Sequence, residues 1–183
     1  MIEKVIKNLP YPNQRCRILL TQNQIIVYST PLRIDNTINK GVSAISIPMK
    51  RETPYIRTTN YSECLNEYKI AQKNNCFDTI LCDDDNTVFA VSRSNVFWVK
   101  NHHLFTRMKD VLPGITRKKV ISKSPIKIYN GKLNLFDFNS IDEVFLTNSG
   151  SGIIPVIKVN NITIGHGNVG LITSKLLNYM MFG

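Results

Sequence analysis

Arg57, at the centre of Tyr55-Ile56-Arg57-Thr58-Thr59-Asn60-Tyr61, is flanked by hydroxyl and amide side chains. Its guanidinium stays protonated at any working pH, so it cannot serve as an amine nucleophile or proton shuttle. Its planar fork instead suits a phosphate or carboxylate. Further along, Gly114-Ile115-Thr116 precedes a helix-forming stretch. The backbone N–H groups and dipole of such a helix start can face an anion. The same three residues also read as an ordinary helix start with Thr116 as the capping residue. Both readings stand on sequence alone. His102, His103 and His166 show no metal-ligand spacing, and Cys16, Cys64, Cys76 and Cys82 contain no CxxC pair. A metal centre is therefore not expected.

Four blocks stand in order along about two thirds of the chain. They are Arg57 to Tyr61; Val91-Ser92-Arg93-Ser94-Asn95-Val96-Phe97; Leu112-Pro113-Gly114-Ile115-Thr116-Arg117; and Glu143-Val144-Phe145-Leu146-Thr147-Asn148-Ser149-Gly150 running on to Pro155-Val156. In this order and spacing they resemble the class IV aminotransferases. That family includes branched-chain and D-amino acid aminotransferases and aminodeoxychorismate lyase, and it uses pyridoxal phosphate (PLP). The resemblance implies an α/β (α+β) fold: a D-amino acid aminotransferase-like large domain over residues 41–183, with residues 1–40 a remnant of the small N-terminal domain and a linker. It also implies a homodimer and a cytoplasmic location.

The same resemblance places the site. The family's nucleophilic lysine falls at Arg57, and its pyridine-nitrogen glutamate falls at Ala90. Asn60, Tyr61, Ser94 and Asn95 fall at positions lining the cofactor; Gly114, Ile115, Thr116, Ser149 and Gly150 fall on its phosphate side. A PLP enzyme needs an amine that attacks the aldehyde and a carboxylate that keeps the ring nitrogen protonated. Arginine cannot do the first, and alanine cannot do the second. Loss of a covalent nucleophile costs roughly 10³ to 10⁶ in rate, about 4–8 kcal/mol. The implied protein is a catalytically reduced relative that binds PLP, or another phosphorylated or carboxylate ligand, without a covalent bond. The alternative is an active aminotransferase or lyase that recruits another lysine or a partner subunit. Ser92-Arg93-Ser94-Asn95 is similar to the lyase and D-amino acid branches.

The elements that must hold these residues can be read from pattern. Arg15 to Tyr28 alternates around Gln22-Asn23-Gln24, as a hairpin does. Pro31 to Asn39 reads as a linker and Gly41 to Ile47 as a strand. Glu63 to Asn75 reads as a helix, Phe77 to Leu81 as a strand, and Asp83 to Asn86 as an acidic turn. A turn at Asn101-His102 leads to a strand over Leu104-Phe105-Thr106. Thr116 to Ser122 reads as a short helix stopped by Pro125, because proline disfavours helical geometry in the residue before it. Gly167 to Met180 reads as an amphipathic helix with Val169, Ile172, Leu176 and Leu177 on one face.

The 183 residues, 43% hydrophobic and 20% charged, suit one domain or one with a small appendage. No apolar run is long enough for a membrane helix. The four cysteines read as buried reduced thiols. The net charge of +10 is densest from Arg107 to Lys127. This admits a third class, a basic nucleic-acid-binding module. No aromatic residues interleave that cluster as a stacking platform requires, so it reads as a solvated face.

Overall fold

The computed structural model describes residues 2–7, 13–49, 55 and 62–182. Arg57, Asn60 and Tyr61 lie outside the described residues. The chain divides into two compact units, Met1–Asp35 and Asn36–Gly183. The first holds α1 (Ile2–Lys7) and an antiparallel hairpin of β1 (Gln14–Leu20) and β2 (Ile25–Pro31). Thr21 closes its turn through hydrogen bonds with Gln24, from N–H to carbonyl at 3.0 Å and from Gln24 N–H to Oγ1 at 3.1 Å. Strand pairing sets Arg17 opposite Tyr28, and their side chains bond at 3.3 Å. The expected linker is shorter than its sequence suggests. Pro31 still pairs with Gln14, and Asn36–Lys40 forms a 3-10 helix whose Ile38 packs on the core of the second unit. Cys16 is exposed rather than buried, because it sits on an uncovered stretch of β1; Cys64 and Cys82 are buried.

The second unit is built on a ten-stranded mixed sheet. Its elements run β3 (Val42–Pro48), α2 (Ser62–Lys73), β4 (Asp78–Cys82), β5 (Thr87–Val91), β6 (Asn95–Lys100), β7 (His103–Thr106) and α3 (Ile115–Lys123). Then come β8 (Ile128–Asn130), β9 (Leu133–Asn134), a 3-10 helix (Leu135–Ser140), β10 (Glu143–Asn148), β11 (Gly152–Val159), β12 (Ile162–Thr163) and α4 (Leu171–Phe182). The strands lie in the order β8-β7-β6-β10-β11-β3-β4-β5-β9, with β12 beside β11. β3 and β4 are parallel, so the chain needs a crossover between them, and α2 lies in it.

Side chains on a strand alternate between faces, and here both faces are covered. From β6, β10 and β11, Val96, Trp98, Val144, Leu146, Ile154 and Val156 enter one apolar core. Phe97, Val99, Phe145 and Ile153 enter the other. The first core is closed by Leu135 and Phe138 of the 3-10 helix, and the second by Val120 of α3 and Leu176 of α4. Phe97 and Phe145, paired across β6 and β10, stack with ring centroids 4.8 Å apart. Burial on both faces is why these strands read as continuous apolar runs.

Two turns carry special backbone. Asn101 and His102 both take positive φ, 50° and 62°, as a two-residue hairpin between β6 and β7 requires. Ser124, before Pro125, is extended (φ −62°, ψ 129°) and ends α3 where expected. The C-terminal helix starts four residues later than its pattern suggests. Gly165 and Gly167 take positive φ (51° and 74°) and keep the chain in turns, so Val169 precedes the helix. The start of α4 is set by a distant acid. Glu143 of β10 accepts hydrogen bonds from the N–H groups of Ile172 at 2.9 Å and Thr173 at 2.7 Å. A Cβ at Gly170 would run into that carboxylate, so the residue must be glycine for the helix to dock.

Glu143 is thus a cap supplied in three dimensions rather than by the local sequence. Glu143→Ala leaves two N–H groups without their acceptor and is expected to cost about 1–3 kcal/mol. Glu143→Gln, which keeps one acceptor oxygen, is expected to lose less. Urea unfolding of the three proteins measures the order.

Candidate functional site

The site begins at a buried carboxylate. Asp78 opens β4 with no solvent exposure. The link between β5 and β6 is the tight turn Ser92-Arg93-Ser94, closed by a 3.3 Å bond from Val91 N–H to Ser94 carbonyl. That turn wraps Asp78. Ser92 Oγ donates to Oδ1, Ser94 Oγ donates to Oδ2 at 3.2 Å, and the Thr79 N–H donates to Oδ1 at 2.9 Å. Arg93 Nε lies 4.0 Å from Oδ2, and its guanidinium lies 3.3 Å from the ring centre of Tyr68 on α2. Burial pushes the Asp78 carboxyl above its ordinary value of 3.8, while Ser92, the charge of Arg93, the Thr79 N–H and Ser94 pull it back.

The network runs on from Ser94. Its Oγ also accepts from Asn148 Nδ2 at 3.1 Å. Asn148 Oδ1 in turn accepts from the N–H groups of Gly150 at 3.0 Å and Ser151 at 2.8 Å, which shapes the β10–β11 turn. Ser149 is exposed at its tip. On the other side, Asn95 Nδ2 donates to the Leu112 carbonyl at 2.9 Å. Its Oδ1 occupies the space where a side chain on Gly114 would go. Ser94, Asn95, Gly114 and the Asn148–Ser151 turn are therefore one connected group of residues.

The head of α3 differs from the capped reading. Gly114, not Thr116, is the N-cap, and among the described residues no side-chain cap bond closes the first turn. Thr116 lies inside the helix. Ile115 is 80% exposed, so its side chain does not cover this end. Behind it, Arg117 is buried; its Nη2 donates to the Arg107 carbonyl at 2.8 Å, and burial lowers its pKa. Thr147, paired with Asn95 across β6 and β10, is buried with its hydroxyl lacking a partner among the described residues. Tyr55, just before position 57, donates from its hydroxyl to Asp110 in the loop leading to α3. That bond, followed by Arg107, holds the Asp110 carboxyl below its usual range.

Ala90 has a different environment. It pairs with Leu81 on β4, is 4% exposed, and packs with Cys64, Leu81 and Phe89, with Ile47 and Met49 alongside. Of the acids nearby in sequence, Asp78 is engaged as described, Asp83 accepts through Oδ1 from the N–H groups of Asp85 and Thr87, and Asp84 and Asp85 are exposed. The basic stretch from Arg107 to Lys127 is not one surface, since Arg117 is buried while Lys109, Lys118, Lys119, Lys123 and Lys127 are exposed. Sequence reasoning missed Asp78, Tyr68, Thr147 and Asn148. A lone acid at the start of an apolar strand is the signal for Asp78, because such an acid is buried only with donors. No local pattern marks Tyr68 or Asn148.

Comparison with known proteins bears on the family of the chain. The family described as amino-transferase class IV matches residues 1–159. The branched-chain-amino-acid aminotransferase-like protein 2 of Arabidopsis thaliana is 31% identical over 147 residues, covering 75% of this chain and 26% of that protein. A putative branched-chain-amino-acid aminotransferase of Methanocaldococcus jannaschii is 30% identical over 146 residues, covering 74% of this chain and 51% of that one. Among solved structures, a putative 4-amino-4-deoxychorismate lyase from Legionella pneumophila superposes with a TM-score of 0.76 at 28% identity, covering 86% of this chain and 60% of that one. The chain spans a quarter to about half the length of these two curated relatives. Among the described residues no helix is long and apolar enough to cross a membrane.

The raised pKa of Asp78 has a consequence for stability. Folded Asp78 holds its proton to higher pH than the unfolded chain does. Its contribution is therefore full below 3.8 and is lost as pH rises through the raised folded value. Asp78→Asn removes this component. Urea unfolding of both proteins from about pH 4 to about pH 7 is expected to show the wild type losing stability relative to Asp78→Asn. Parallel curves would mean that the hydrogen bonds fully offset burial.

Proposed function

We propose, the chain belonging to the class IV aminotransferases, that it is a catalytically reduced member which holds a phosphate-bearing ligand without covalent attachment. The family is PLP-dependent, and when bound PLP supplies an aldehyde for amine capture and a ring that withdraws electrons. The residues at the two ends of the proposed site differ in how well they suit it. At the phosphate end, among the described residues, α3 starts at Gly114 with no side-chain cap, and the Thr147 hydroxyl is buried without a partner. Both suit an anion. Gly114, Ile115 and Thr116 would supply backbone N–H groups there, with Ser149 on the facing turn. The N–H groups of Gly150 and Ser151 are already taken by Asn148, so that turn offers fewer donors.

At the ring end the residues do not fit. Ala90, the position of the family glutamate, is buried among apolar side chains and offers no charge. This observation carries the reading, and the sequence adds arginine at position 57. Ser94 and Asn95 serve the fold in this reading: one binds Asp78, and the other braces the loop before α3. The reading includes residues 1–40 as a remnant of the small domain and residues 41–183 as the ligand-binding domain. It also includes a homodimer in the cytoplasm.

The test is to mix the protein with PLP, reduce with borohydride, and map pyridoxyl groups by peptide mass. The wild type is expected to show no single modified lysine. Arg57→Lys, run alongside, is expected to gain a specific adduct at position 57. One stoichiometric adduct on a wild-type lysine would overturn the reading and identify a substitute nucleophile.

A further inference from the structure

We propose that the side chain of Asn148 fills the anion-binding turn between β10 and β11 from within, and so bars a second oxyanion of the ligand from that side of the site. This rests on the reading above, in which the head of α3 holds the ligand's phosphate.

The turn is built to receive an oxygen. The successive N–H groups of Gly150 and Ser151 converge on one atom, at 3.0 and 2.8 Å. Successive backbone N–H groups that point into one concavity make a place for an anion. Here the atom is Oδ1 of Asn148. The amide is held there from its other end as well, since Asn148 Nδ2 donates to Ser94 Oγ at 3.1 Å and Ser94 in turn donates to the buried Asp78. The turn lies beside the head of α3. Thr147, the residue before Asn148, pairs with Asn95, and the Asn95 side chain reaches the Leu112 carbonyl and fills the space beside Gly114. The turn is also open from outside. Ser149 and Ser151 are exposed, and a Cβ added at Gly152 would meet nothing within 4 Å.

An oxyanion of the ligand and the amide of Asn148 therefore compete for the same N–H groups. The oxyanion would make bonds roughly twice as strong. The amide is tethered, so it takes the donors without the loss of free motion that a ligand group must suffer. Displacing it would also break its bond to Ser94. Asn148→Ala removes the competing oxygen and frees the turn. Asn148→Asp is the control: it loses the donor to Ser94 just as alanine does, yet keeps an oxygen for the turn.

Inorganic phosphate is titrated into the isotope-labelled full chain, and the backbone amide signals are followed by NMR. In the wild type the signals of Ile115 and Thr116 are expected to move and those of Gly150 and Ser151 to stay. In Asn148→Ala the signals of Gly150 and Ser151 are expected to move and saturate, with phosphate held at the turn about tenfold tighter or more than in the wild type, the scale of a hydrogen bond to a charged group. In Asn148→Asp they are expected to stay. Movement of Gly150 and Ser151 in the wild type as large as in Asn148→Ala overturns the proposal, and so does their failure to move in Asn148→Ala. Equal gains in the alanine and aspartate variants also overturn it, because the lost bond to Ser94 would then be the cause. If Asn148→Ala does not fold, the wild-type titration decides alone. Ile115 and Thr116 report separately on the reading beneath. If they stay in all three proteins while Gly150 and Ser151 move in Asn148→Ala, the phosphate site at α3 is overturned and the filled turn stands.

Discussion

A carboxylate buried at the start of β4 is the constraint from which much of this site follows. Taking a charge out of water costs several kcal/mol even after relaxation. A hydrogen bond to a charged group returns about 1.5–3 kcal/mol. Asp78 must therefore collect several donors at once, and it collects them from Ser92, Ser94 and the Thr79 N–H, with Arg93 nearby. These sums leave the net contribution to stability small. What the cluster contributes is position: the β5–β6 turn can sit in only one way over β4. From Ser94 the order passes to Asn148 and the β10–β11 turn. From the next residue, Asn95, it passes to Leu112 and the head of α3. Four segments far apart in sequence are registered by one acid.

In the proposed reading, this division separates the fates of the two ends of the site. The phosphate end is made of backbone: the first turn of α3, and a glycine whose missing side chain is filled by Asn95. Backbone donors persist as long as the fold persists, whatever the side chains become. In the same reading the chemical end depends on the side chains at positions 57 and 90, and each can be lost by one substitution. Ala90 keeps its pairing with Leu81 and fills its place in the core. In that reading the family fold outlasts its reaction for this reason.

The strands of the second unit were legible because burial writes itself into composition. Val96 to Val99 and Val144 to Leu146 alternate between two cores, and both runs are apolar throughout. The turn at Asn101-His102 and the stop at Pro125 were legible because their chemistry is local. The start of α4 was not, since its cap is Glu143, some thirty residues earlier in the chain. Thr116 misled for the opposite reason. It is a good capping residue by type, but Gly114 occupies the cap and Asn95 occupies the space beside it. Asp78 was missed although it is an acid in an apolar strand, because its donors lie 14 and 16 residues away and depend on strand pairing. In the proposed reading Asn60 and Tyr61 carry the roles that the motif implies.

In the proposed reading, positions 57 and 90 are coupled through the ligand they would share. In a protein that holds a protonated pyridine, a glutamate at position 90 has a partner and its burial is compensated. Remove covalent capture, and the site spends more of its time without that partner. The same glutamate would then be an unpaired carboxylate among Cys64, Leu81, Phe89 and Met49. Such a group takes up a proton or costs several kcal/mol, a large part of the 5–15 kcal/mol that holds a typical domain together. Alanine removes that cost and keeps the strand. In that reading arginine at position 57 would make a carboxylate at position 90 a burden on the fold, and alanine at position 90 would leave an amine at position 57 without an activated ring to work on. Restoring one without the other would recover little of the reaction.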